Sequence, residues 1–200
     1  MRPPLLLLSF TPPFSADDFA DFVKSHADAR AEVVLDKRDS EGPQAGIEWL
    51  LATAVMLFIG KSYFDGMLKE LGKEHYHLLK AKTKGLYARL IGPQAPAVTL
   101  VATAGKVGDR RKYSLLFSLL AEADDGLRFK LLIQESATQE EYEATVNAFV
   151  DFLDAFHRCA LPADVIAELQ QVRVVGKTVL VAYSREHRRV IAVDPMSKSS

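Results

Sequence analysis

Trp49-Leu-Leu-Ala-Thr-Ala-Val-Met-Leu-Phe-Ile59 carries no charge, and its reading decides the fold. A helix apolar on every side must be wrapped by a domain or lie against a bilayer, because a surface helix shows a polar face. Read as a helix, the run spans about 16 Å at 1.5 Å per residue, short of the roughly 30 Å of a hydrocarbon core, which disfavours a simple transmembrane pass. The sequence therefore predicts a buried core helix over roughly Ala45–Ile59. The alternative is a helix 47–59 docked on a membrane.

The pattern on its C-terminal side is helical. Gly60 and Lys61 end or kink the run, a second helix covers Ser62–Leu71 and stops at Gly72, and a third runs from Lys73 to Ile91. Arg89 in its last turn, Gly92 and Pro93 mark the third stop. Ala45–Ile91 thus reads as a helical insertion in one domain covering 1–195, with a polar tail at 196–200. In the third helix Tyr76, Leu79, Thr83, Leu86, Tyr87 and Leu90 form an apolar stripe, flanked by Lys73, Lys80 and Lys84 on one side and by Lys82 and Arg89 on the other. Lys61–Gly92 carries a net +4 in a chain of net −1. A basic amphipathic helix accepts a partner or lies in a membrane interface with its lysines snorkelling outward. Lys73, Lys80, Lys82, Lys84 and Arg89, with Trp49 and Tyr63 at the ends of the apolar run, are the candidate partner or membrane contacts.

On the N-terminal side, Leu5–Phe10 is a short apolar run bounded by prolines, too brief for the roughly 7–15 apolar residues of a signal peptide. It reads as a buried first strand. Ser15 is an N-cap, with Asp18 in a capping-box position and Phe14 and Phe19 as a hydrophobic staple. The following helix buries Phe19, Phe22, Val23 and His26. Ala31–Lys37 is the second strand, parallel to the first if both share a sheet.

Beyond Pro93-Gln-Ala-Pro96 the period changes from helical to alternating. Strands are expected at Ala97–Thr103, Tyr113–Glu122 and Leu127–Gln134. The last two form a hairpin at Asp124-Asp-Gly126, with Ser114, Ser118, Arg128 and Lys130 on the outward face. Ser136-Ala-Thr-Gln139 caps a helix through Tyr142, Val146, Phe149, Leu153 and Phe156. Pro162–Gln171 is a short helix, and Thr178–Tyr183 with Arg189–Val193 is a closing hairpin. The expected fold is α+β, with a mixed, mainly antiparallel sheet of about six or seven strands.

Composition bounds the function. With 48% hydrophobic and 26% charged residues the chain buries a real core, so it is not disordered over most of its length. A net charge of −1 gives no global field toward nucleic acid or anionic lipid. Cys159 has no second cysteine to pair with and no zinc set, which fits a reducing compartment, and the cytoplasm is expected.

Chemistry is sparse. Glu74-x-x-His77 and Asp154-x-x-His157 have the spacing of paired two-metal helices, but the further inward carboxylates of a bundle are missing. No metal and no cofactor are expected. There is no Gly-x-Ser-x-Gly elbow and no catalytic context around Cys159. Gly105–Lys112 clusters Lys106, Arg110, Arg111 and Lys112 in a glycine-bearing loop and is a candidate anion-binding loop, although it lacks the Gly-Lys-Ser/Thr phosphate pattern. Arg185, His187, Arg188 and Arg189 make a second basic turn. The expected function is an intracellular interaction or regulatory module with a protein partner. A peripheral membrane module and an enzyme with a site assembled from scattered residues are the alternatives, and nucleic acid is disfavoured.

Overall fold

The computed structural model describes residues 5–39, 53–66, 72–90 and 112–194. Seven strands build one mixed sheet: β1 (Leu5–Phe10), β2 (Glu32–Lys37), β3 (Val55–Ile59), β4 (Phe117–Glu122), β5 (Arg128–Leu132), β6 (Thr178–Ser184) and β7 (Arg189–Val193), in the order β2-β1-β3-β4-β5-β6-β7. Five helices accompany it among the described residues: α1 (Ala20–Asp28), α2 (Lys61–Gly66), α3 (Gly72–Leu90), α4 (Gln139–His157) and α5 (Ala163–Gln171). The architecture is α+β. The sheet is evenly mixed, not mainly antiparallel: β1–β2, β3–β4 and β5–β6 run parallel, and β1–β3, β4–β5 and β6–β7 antiparallel. Each parallel pair is joined through helices, as parallel neighbours require, whereas β4–β5 and β6–β7 close through short turns.

The largest correction falls on the decisive run. Val55–Ile59 is a strand and not the end of a helix, and it occupies the sheet interior, Leu57 pairing with Leu8 on one side and Leu119 on the other. Val55, Leu57 and Ile59 are wholly buried, while Met56 and Phe58 on the other face are half-buried. A strand flanked and covered in this way reads as continuous apolarity, and its periodicity cannot be told from that of a buried helix. The segment 45–91 is accordingly not a helical insertion throughout, since it supplies a sheet strand before α2 and α3. Trp49 and the rest of 40–52 lie outside the described residues, as does the expected strand Ala97–Thr103.

Local signals placed the other elements well. Ser15 N donates to Asp18 Oδ2 at 2.7 Å, and Phe14 packs against Phe19 at 6.3 Å between ring centres, so both the capping box and the staple form. At the β4–β5 turn Asp125 and Gly126 take φ of 55° and 73°, the left-handed region that the Asp-Gly pair suits. The cap of α4 is shifted by two residues: Thr138 is the N-cap, its N–H donating to Glu141 Oε2 at 3.0 Å. Gln134–Ala137 is held as a turn by Ala137 N donating to Gln134 O, and Tyr87 Oη donates to Ala137 O at 2.9 Å.

The helices pack on one face of the sheet, over Leu6, Leu8, Leu57, Phe117, Leu119 and Phe129. The opposite face was expected to show Ser118 and Lys130 to water. Both are buried, at 1% and 6% exposure, beside Leu120, Leu132 and Leu180. The outer edge of β7 is capped by α5: Ala192 N donates to Glu168 Oε1 at 2.8 Å and Arg189 Nη1 donates to Glu168 Oε2 at 2.9 Å. Among the described residues no helix is long and apolar enough to cross a membrane.

Candidate functional site

α4 buries Tyr142, Val146, Phe149, Val150 and Leu153 in the core, which fixes the helix and turns a second strip of it outward. That strip holds Ala144, Asn147, Ala148, Asp151 and Ala155. After α4 the chain turns at Leu161-Pro162, lays Val165 of α5 against the core, and returns through the β6–β7 hairpin, which brings Tyr183, Arg188, Arg189 and Val190 to the same place. Together they line an open trough of about 410 Å³. Alanines at 144, 148 and 155 keep its floor low, and Phe152, Leu161, Val165 and Val190 make it apolar.

The polar groups of the trough fall into two classes. Arg189 is spent on α5, 2.9 Å from Glu168 and 3.4 Å from Asp164. Asp151 is held from outside the trough by Lys80 at 2.7 Å. Burial works against that pair, raising the Asp151 carboxyl with help from Asp154 and lowering the Lys80 ammonium with help from Lys84. In contrast, the side chains of Asn147, Tyr183 and Arg188 make no hydrogen bond or ion pair with any described residue. An apolar floor with a few uncommitted polar groups at its rim is the usual make-up of a binding surface.

The basic face of α3 is committed to the fold. Tyr76, Leu79, Thr83, Leu86, Tyr87 and Leu90 turn inward, with Leu79, Thr83, Leu86 and Leu90 fully buried. Lys82 lies 3.1 Å from Asp21, Lys84 3.9 Å from Glu143, and Arg89 Nη1 donates to Asp18 O at 2.8 Å. Tyr63 is buried in the core, its hydroxyl donating to His75 O at 3.0 Å, and burial raises its pKa. The described apolar stripe of α3 is thus turned into the core, and Val55–Ile59, part of the alternative membrane helix 47–59, is a strand. The side chain of Lys73 and residues Trp49, Lys106, Arg110 and Arg111 lie outside the described residues. Lys112 is exposed, its ammonium 5.4 Å from the Tyr113 ring centre.

Two buried polar groupings lie away from the trough, the first missed by the sequence reading and the second centred on His26, whose burial the sequence does predict. On the second sheet face Thr53 Oγ1 donates to Val55 O at 2.8 Å, so the 2.7 Å contact between the two hydroxyls makes Ser118 the donor to Thr53. Arg38 Nη2 donates to Thr53 O at 3.0 Å, and burial, reinforced by the Arg38 charge, lowers Lys130 to about 8. In the seam between α1 and α3, His26 is wholly buried and Nδ1 donates to Phe22 O at 2.8 Å, leaving Nε2 without a partner among the described residues. Among the described residues no group of three or more His, Cys, Asp or Glu side chains is placed to hold a metal ion.

Of the trough residues, sequence reading had singled out only Arg188 and Arg189, through the basic turn. Ala144, Ala148, Asp151 and Ala155 do recur at helical spacing on the outer side of α4, a signal of what that strip packs against. No family model matches the chain, and neither a curated protein nor a solved structure matches it.

Proposed function

We propose that this protein is an interaction module, cytoplasmic as its single unpaired cysteine suits, that receives a segment of a partner protein in the trough between α4, α5 and the β6–β7 hairpin. The observation that carries the reading is the pairing of an alanine-floored apolar surface with Asn147, Tyr183 and Arg188, whose side chains bond to no other described residue. Apolar contact supplies the affinity of such a surface and its rim supplies selectivity. An open trough, lined by one helix, a second short helix and a hairpin, suits an extended or helical peptide better than an enclosed small molecule.

A photoreactive amino acid placed at Ala148 in the native host tests this. A partner captured from position 148, and not from the same group placed at exposed Glu32 on the far sheet edge, is expected. Identical capture from both positions, or from neither, would remove the trough as the docking site.

A further inference from the structure

The β6–β7 hairpin carries three arginines, and two of them are satisfied by the protein. Arg185 Nη2 donates to Glu141 Oε2 at 2.7 Å and to Gln134 Oε1 at 3.2 Å, and Arg189 is held by Glu168 and Asp164. Arg188 is exposed, lines the trough and has no such partner among the described residues. A guanidinium is always charged and presents a rigid fork of donors matched to a carboxylate. Set beside an apolar floor, it has the position from which a partner's charge is read.

The other charged groups of the trough give the reading a direction. Asp151 repels an incoming carboxylate at its own position on α4, even with Lys80 beside it, because that ammonium is already engaged. Arg189 is likewise engaged. An acidic group is therefore accommodated at the hairpin side and opposed at the Asp151 side.

Resting on the trough reading above, we infer that the segment received is an internal stretch of a partner chain carrying an Asp or Glu side chain among apolar residues, and that Arg188 pairs with that carboxylate. Arg188 is exposed on an open surface and not at the bottom of a closed pocket that would bury a chain terminus, which favours a side-chain carboxylate. Apolar side chains of the segment fill the space over Ala144, Ala148 and Phe152. Charge complementarity of this kind sets register and excludes basic competitors.

The test is selection from a displayed library of random peptides against the whole protein, in parallel with Arg188→Glu, Ala148→Trp and Ala144→Arg. Wild-type protein is expected to enrich peptides sharing an acidic residue beside apolar ones. Those peptides should bind Arg188→Glu about tenfold or more weakly, the value of one charged hydrogen-bonded pair, and Arg188→Glu should enrich Lys or Arg at the same place. Peptides that are blocked by Ala148→Trp or Ala144→Arg but indifferent to Arg188→Glu would overturn the acidic partner and leave the trough standing. Peptides whose binding is lost on amidation of their C-terminus would overturn the internal side chain. Enriched peptides unaffected by either filled-floor variant, with both variants folded by circular dichroism, would overturn the trough and this inference together, as would no enrichment at all.

Discussion

Lys80 Nζ, 2.7 Å from Asp151 Oδ1, ties α3 to α4 across the side of the trough. The same ammonium sits 4.2 Å from the Tyr76 ring centre, and the Lys80 side chain is only 15% exposed. Lys80→Glu removes both contacts and sets a third carboxylate beside Asp151 and Asp154. Because Asp151 is 55% exposed, water screens much of the interaction, and a loss of about 1–2 kcal/mol is expected. Denaturant midpoints of the variant and of Lys80→Glu with Asp151→Lys check this, the double variant recovering part of the loss. A Lys80→Glu protein as stable as wild type would show that the pair contributes nothing.

His26 makes the fold acid-sensitive. With Nδ1–H donated to Phe22 O, protonation adds an N–H at Nε2, which is buried without an acceptor. Among the described residues the groups facing it are His75 and Lys82, the latter paired with Asp21, and no carboxylate there compensates directly. Burial first, then those two like-charged neighbours, holds the imidazole below its usual 6.5. The unfolded chain therefore binds this proton at a higher pH than the folded one. Stability from His26 is fully present above 6.5 and is lost as pH falls from there toward the lowered folded value, at no more than about 1.4 kcal/mol per pH unit. Urea midpoints from pH 7.5 to 5 should fall, and less steeply in His26→Leu. Equal slopes in the two proteins would exclude His26 as the source.

How legible was this molecule? Elements bounded by strong local chemistry were read directly: the proline-flanked β1, the Ser15–Asp18 cap, the Asp-Gly turn between β4 and β5, and α4 with its inward aromatic residues. Two overlapping Ser/Thr-x-x-Gln/Glu patterns precede α4, and the later one caps it because residues 134–137 are bonded as a turn. Val55–Ile59 was illegible for a physical reason: paired along both edges, with one face wholly buried and the other half-buried, it has no polar residue to mark a period. Burial on that second face also hid Ser118 and Lys130, whose alternation would signal water only if the second sheet face were solvated. Arg188 could be counted among the basic residues of its turn, but which of those arginines remains uncommitted depends on Glu141, Asp164 and Glu168, far away in sequence.

Glu168 joins α5 to the β7 edge with two acceptors, one on the Ala192 N–H and one on Arg189. Glu168→Ala leaves an edge N–H without its cap and frees one side of Arg189, for an expected cost of about 1–3 kcal/mol. Because an uncovered strand edge pairs with other chains, the variant should also aggregate sooner on heating. Glu168→Gln keeps an acceptor for Ala192 and should lose less. Thermal midpoints with light scattering measure both effects, and a Glu168→Ala protein indistinguishable from wild type would deny the cap its role.

Lys130 produces a dependence of the same sign at high pH. It is 6% exposed on the second sheet face, and burial, with the Arg38 charge behind it, lowers its ammonium to about 8 from the usual 10.5. Between those values the unfolded chain holds a proton that the folded chain has released, so the unfolded state binds more protons and stability rises with pH across that window. Below 8 the ammonium is charged in both states and the folded protein bears the full desolvation cost. Lys130→Met, close to lysine in length and uncharged, abolishes this dependence. Denaturant midpoints at pH 7.5 and 9.5 should rise for the wild type by more than for Lys130→Met, the difference being attributable to this one amine. The comparison cancels contributions from the other lysines and tyrosines, which titrate in both proteins. A wild-type midpoint that rises no more than that of Lys130→Met would show that Lys130 keeps its charge on the second face throughout this range.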